Sequence, residues 1–231
     1  MTKTAIFIPA RYHSTRFPGK PLTMLGDKTM IARVVEGCKR SGLDTYVLTD
    51  NKTIAMAAKA SGAEIYIDSD DYLNGTERCA GAIYSRKFSD YDNIINVQGD
   101  MPDVTVEMIE KAEKMLKYYN VTTVITQMQD DRLNDKNSVK LVRAGDKVLW
   151  CGRGMQGYGD WHLGVYGYRL EALQAYPHLT RTREEDIESL EQLRWLKNGW
   201  DIGVLPVEYN GIEINTPEDA ERWNARSAGS N

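Results

Sequence analysis

Residues 8 to 22 read IPARYHSTRFPGKPL, an apolar run that empties into a loop carrying Arg11, Arg16 and Lys20. Ser14, Thr15 and the Pro18-Gly19 turn lie between them, and no acidic residue follows until Asp27. Ligands of open α/β sheets gather outside the carboxyl ends of strands, so cations and hydroxyls in such a loop suit a polyphosphate. A solvated basic loop is the competing reading for any one of these cations. A second group stands at the end of IINVQGD, where Gln98 and Gly99 precede Asp100. A carboxylate at the end of a buried strand, beside a phosphate loop, is a way to hold Mg²⁺ on a nucleotide. The alternative is a turn cap before Met101-Pro102.

Two segments that invite comparison with known glycine phosphate loops do not match them. The loop at 8 to 22 is not a Walker loop: Ser14 stands where that motif needs glycine, and Pro21 follows Lys20. Side chains must therefore supply the positive charge. GRGMQG at 152 to 157 is formally G-x-G-x-x-G, but no helical pattern follows it, so it reads as a loop. Asn74-Gly75-Thr76 reads as a turn with a helix N-cap, followed by Arg78. In HLGVYGYR, alternation puts His162, Gly164, Tyr166 and Tyr168 on one strand face and Leu163, Val165 and Gly167 on the other. Glu188 and Gln192 lie four apart and share a helix face, with Ile187, Leu190, Leu193 and Leu196 as the buried stripe. Thr216, Pro217 and Asp219 form a capping box that opens the last helix.

The elements that must position these groups follow a βαβα order. AIFIPA, TYVLTD, EIYI, NIINV and TTVITQM alternate with helical patterns over about 29–40, 51–60, 76–87 and 104–118. This predicts one α/β domain with a largely parallel sheet flanked by helices. From 137 to 168 the glycine-rich short strands predict antiparallel hairpins, a lid or dimer arm inserted in the single domain 1–231. A helix over 183–198, the strand DIGVLPV and the final helix close the fold, with 226–231 as a frayed tail.

At 231 residues and 42% hydrophobic content the chain can bury one core. A net charge of −4 leaves no global basic field and argues against nucleic-acid binding. Cys38, Cys79 and Cys151 lack metal-ligand spacing and fit a reducing compartment. The apolar run at the N-terminus ends at Pro9, too short for a membrane span, so a cytoplasmic protein with no membrane partner is expected.

The wording IPAR, then STRFPGKPL, closely resembles the N-terminal signature of CMP-Kdo synthetases, the 3-deoxy-manno-octulosonate cytidylyltransferases. VQGD, NGTER, HLGVYGYR, ESLEQLR and INTPEDAER are similar to further motifs of that family in collinear order, from Ile8 to about Trp223. The resemblance implies a Rossmann-like, GT-A-like nucleotidyltransferase fold, a homodimer, and transfer of CMP from CTP to a small sugar acid with Mg²⁺. It implies Arg11, Lys20 and Asp100 as the catalytic group, with Ala10, Arg11, Ser14, Lys20, Asn74, Arg78 and Gln98 on the nucleotide. It also implies Arg153, His162, Tyr166, Glu188 and Gln192 on the sugar, and a metal at Asp100. Asn74 and Glu77 replace the family's Ser and Asp, and the stretch after Arg153 is much shorter than usual. Asn215 stands where the family has a metal-binding Asp, and a neutral amide is a poorer Mg²⁺ ligand. These departures leave open an amino-octulosonate, a nonulosonate or a phosphonate as acceptor, or a protein that binds nucleotide without turnover.

Overall fold

The computed structural model describes residues 2–13 and 17–229. Ser14, expected at the nucleotide, lies outside them together with Thr15 and Arg16. The first half follows the predicted alternation: β1 (Thr4–Pro9), a small hairpin of β2 (Met24–Leu25) and β3 (Lys28–Thr29), α1 (Met30–Lys39), β4 (Asp44–Thr49), α2 (Lys52–Ala60) and β5 (Glu64–Ile67). Then come α3 (Gly75–Ala82), β6 (Asn93–Val97), α4 (Val106–Met115) and β7 (Val121–Thr126). Side-chain caps fix the helix starts, with Thr29, Asn51, Asn74 and Thr105 each accepting a backbone N–H of the first turn.

The second half supplies β8 (Lys140–Ala144), β9 (Lys147–Gly152), β10 (Asp160–Arg169), α5 (Leu170–Ala175), α6 (Arg183–Glu188), α7 (Gln192–Lys197), β11 (Ile202–Pro206) and α8 (Pro217–Ala228). All the strands except the small hairpin form one sheet in the order β5-β4-β1-β6-β10-β7-β11-β9-β8. Alternate residues of β1 enter two cores, Ala5 and Phe7 on the α3, α5 and α7 side, Ile6 and Ile8 on the α1, α2 and α4 side. The connection after β1 leads to β4 on one side, while the one after β6 leads to the opposite side, where β10 and β7 lie. The crevice between the carboxyl ends of β1 and β6 is thus a topological switch point, where such sheets take their ligands.

Three expectations need correction. The segment 160–168 does not belong to an arm: β10 is the middle strand of the sheet, antiparallel to β6 and β7 on either side. Its side chains are apolar on both faces, with Leu163 and Val165 in one core and Tyr166 and Tyr168 in the other, so only a central position buries them. The remaining hairpin, β8 with β9, follows β11 in the sheet, and β8 pairs back onto the start of β10 at Asp160 and Trp161. The helix expected over 183–198 is two short helices, because Ser189 adopts a left-handed conformation at φ 52° and turns the chain. Ile187 consequently faces solvent while Leu190 and Leu193 remain in the core. The tail is helical to Ala228, since Arg226 pairs with Asp103 and donates to the Asn210 carbonyl across 2.8 Å.

Candidate active site

At the switch point the chain leaves β1 through Ala10 and Arg11 and leaves β6 through Gln98, Gly99 and Asp100, and these residues wall one cleft of about 960 Å³. That volume is in the range of small-molecule sites. The Lys20 ammonium reaches in from a short 3-10 turn, 2.7 Å from Asp100 Oδ2 and 3.1 Å from the Ile214 carbonyl. Arg11 is exposed on the cleft wall and makes no ion pair among the described residues. Asp100 is held in turn by the loop before α8, where the Ile214 N–H donates to its carbonyl at 3.0 Å. Ile214 is buried with Leu25, Met30 and Trp223, so the small hairpin, α1 and α8 together anchor this loop.

Flanking Ile214, Glu213 and Asn215 both face the cleft. Burial raises the Glu213 pKa to about 7, and the Asp100 charge adds to the rise; Arg153, Lys20 and the Asn215 amide pull it down. Glu213 was not among the residues expected here. Its signal was available in EIN, since residues two apart in an extended run share a side. With a native pKa above the unfolded value, Glu213 favours folding while it is protonated, and this contribution is lost as pH rises through about 7. Glu213→Gln in metal-free buffer is therefore expected to raise the unfolding temperature more at pH 8 than at pH 5. Equal shifts at both pH values, by calorimetry, would show that Glu213 carries no such strain.

On the strand β6 side, Gln98 donates from Nε2 to Glu191 Oε1 at 2.9 Å, and the Thr76 N–H donates to Glu191 Oε2 at 2.9 Å. Glu191 is a second residue sequence reasoning missed; the expected continuous helix hid it, and the turn at Ser189 swings it inward. Burial raises its pKa to about 7, against the two Thr76 hydrogen bonds that lower it. Asn74 spends its side chain capping α3, accepting from the Glu77 N–H at 2.8 Å, and still lines the cleft. Arg78 is buried over the Tyr72 ring and donates to the Asp68 carbonyl at 3.2 Å.

Arg153, His162, Tyr166, Glu188 and Gln192 all line the same cleft, brought together as expected. His162 is buried, hydrogen-bonded through Nε2 to Thr123 Oγ1 at 3.0 Å, and burial lowers its pKa to about 3, so it stays neutral. The Tyr166 hydroxyl donates to Gln192 Oε1 at 3.4 Å. Glu188 has a different first task from the one expected. Its Oε2 accepts the N–H groups of Arg153 and Gly154 at 2.6 and 3.0 Å, so it clamps the shortened loop after β9. Lys140, fully buried, clamps the same loop from beneath, donating to the carbonyls of Asp135, Ser138 and Arg153. The loop is thus held by fixed anchors, and Arg153 Nη1 donates to the Asn137 carbonyl at 2.6 Å.

The α/β sheet, flanked by helices on both faces and with its cleft at the switch point, has the fold of a nucleotidyltransferase. The chain belongs to the cytidylyltransferase family, whose model matches residues 5–202. It is 36% identical over 244 residues to a 3-deoxy-manno-octulosonate cytidylyltransferase of Parabacteroides distasonis, covering 96% of this chain and 97% of that one. It is 35% identical over 239 residues to an 8-amino-3,8-dideoxy-manno-octulosonate cytidylyltransferase of Shewanella halifaxensis, covering 96% and 98%. Among solved structures, a CMP:2-keto-3-deoxy-manno-octonic acid synthetase complexed with CTP superposes with a TM-score of 0.88 at 30% identity, over 100% of both chains.

Proposed function

We propose that this protein transfers CMP from CTP to the anomeric hydroxyl of a 3-deoxy-2-keto sugar acid, Kdo or a close relative, releasing pyrophosphate. One observation carries the reading: a single cleft joins the Lys20–Asp100 pair to the His162, Tyr166 and Gln192 group, so a triphosphate and a polyhydroxylated acid can meet in it. The acceptor hydroxyl gives its proton to solvent as its oxygen bonds to the α-phosphorus, while the bond from that phosphorus to the bridging oxygen breaks and its electron pair leaves on pyrophosphate. Lys20 and Arg11 are assigned to the charge that accumulates on the leaving phosphates. Arg153 is assigned to the acid's carboxylate, and neutral His162 and Tyr166 orient its hydroxyls.

The donor set suits Mg²⁺. Asp100 and Glu213 would supply hard carboxylate oxygens and Asn215 an amide oxygen, and the repulsion between the two carboxylates, which adds to the effect of burial on Glu213, is one that a divalent cation would offset. When bound, the ion would neutralise phosphate charge and polarise the α-phosphorus. The reading also includes a homodimer and a cytoplasmic location. The three cysteines, buried and unpaired, suit that location.

The test is pyrophosphate release from CTP with a titration of Mg²⁺ and a panel of acids: Kdo, its 8-amino analogue, a nonulosonate and a phosphonate. Release is expected with Kdo or the amino analogue, and to require the metal. If no acid triggers release and CTP binds no better than ATP or UTP, the reading fails.

A further inference from the structure

Gln98 is packed so tightly that one freedom remains to it. A Cβ at Gly75 would lie 2.9 Å from Gln98 Nε2 and 3.1 Å from Oε1, while one at Gly164 would lie 3.0 Å from its Cγ and 3.1 Å from its Cβ. The Gln98 N–H is tied to the Gly164 carbonyl at 2.8 Å. Two bare backbones therefore sandwich the side chain, and what is left is a 180° exchange of the amide's oxygen and nitrogen. Glu191 decides that exchange. Above its raised pKa of about 7 the Glu191 carboxylate only accepts, so Nε2 must face it, and among the described residues no donor reaches Oε1.

Resting on the cytidylyltransferase reading, we infer that Glu191 is a positioning residue that locks Gln98 with its amide oxygen toward the cleft, making it a fixed acceptor for a substrate hydrogen-bond donor. Two groups have that chemistry, the exocyclic amino group of cytosine and a hydroxyl of the sugar acid. Uracil offers a carbonyl in place of the amino group, which a fixed acceptor rejects. The selection needs no charge on Gln98 itself, only the acceptor-only neighbour.

Glu191→Gln turns the lock over. The Thr76 N–H holds the oxygen of the new amide, its NH₂ then faces residue 98, and Gln98 must present its own NH₂ to the cleft. Calorimetric binding of CTP and UTP, and kinetics with Kdo, would be measured at about pH 8.5, above the Glu191 ionisation. If cytosine is the donor, the CTP-over-UTP preference is expected to fall about 10-fold. If a hydroxyl is the donor, that preference holds and KM for Kdo rises by a similar factor. The exchanged pair, Gln98→Glu with Glu191→Gln, restores an acceptor toward the cleft and should recover at least part of whichever property was lost. Unchanged nucleotide preference and unchanged KM in Glu191→Gln, or a loss that the exchanged pair leaves as it is, overturns the inference. Should Glu191→Gln not fold, Gln98→Met keeps the packing between the glycines and must lose the same property. Wild-type protein that binds no CTP would instead sink the underlying reading.

Discussion

Lys20→Ala is expected to lower turnover about 100-fold, the scale of one lost electrostatic donor at a reacting centre. In the proposed reaction Lys20 is assigned to the triphosphate, and it is the cation in contact with Asp100 at 2.7 Å. Its loss removes charge from the leaving group and also leaves Asp100 and Glu213 to repel one another. The fold should persist, because both ends of the pair are partly exposed and the Ile214 N–H still ties the loop to the Asp100 carbonyl. Steady-state kinetics with unfolding curves separates the outcomes. A folded variant with the wild-type rate would place the chemistry elsewhere.

Arg194→Ala should have the largest effect on stability. Arg194 is buried, with its guanidinium at 2.6 Å from Glu185 Oε1, at 2.9 Å from Glu77 Oε1 and over the Tyr176 ring. It therefore joins α7, α6 and α3 at one point. Removing it strands the buried Glu185 carboxylate, and breaking such a pair costs about 3–5 kcal/mol. For a chain of this size that corresponds to roughly 6–20 °C in unfolding temperature. A drop below about 2 °C would mean that solvent replaces the guanidinium and that the network contributes little.

The elements that bring Lys20 and Asp100 together were legible because their determinants are local. Hydrophobic period marked each early strand and helix, and Thr29, Asn51 and Thr216 marked helix starts with side chains that can reach only their own first turn. Arg11, Lys20 and Asp100 could be placed because the carboxyl ends of parallel strands converge whatever the details. What stayed hidden depends on partners distant in sequence. Nothing within 160–169 says that its neighbours are β6 and β7, since a strand apolar on both faces states only that it is covered. The turn at Ser189 is a left-handed residue of an unexceptional type, and it decides that Glu191 enters the cleft while Ile187 leaves the core. Glu188 was read as a sugar contact because ESLEQLR resembles a family motif; its partners, two N–H groups 34 and 35 residues away, could not be read from the sequence.

The position of β10 also bears on how the molecule comes into being. β6 and β7 touch it from either side, yet they precede it in the chain by more than thirty residues, and nothing made earlier fills the gap between them. A ribosome-bound chain therefore carries one unpaired edge on β6 and two on β7 until Arg169 has emerged, and β7 gains its second neighbour only with β11. Long-range closure of this kind slows folding, because the loop entropy is lost before the ladder forms. Until that point the unpaired edges of β6 and β7 are the surfaces through which two immature chains would pair with each other instead of with themselves.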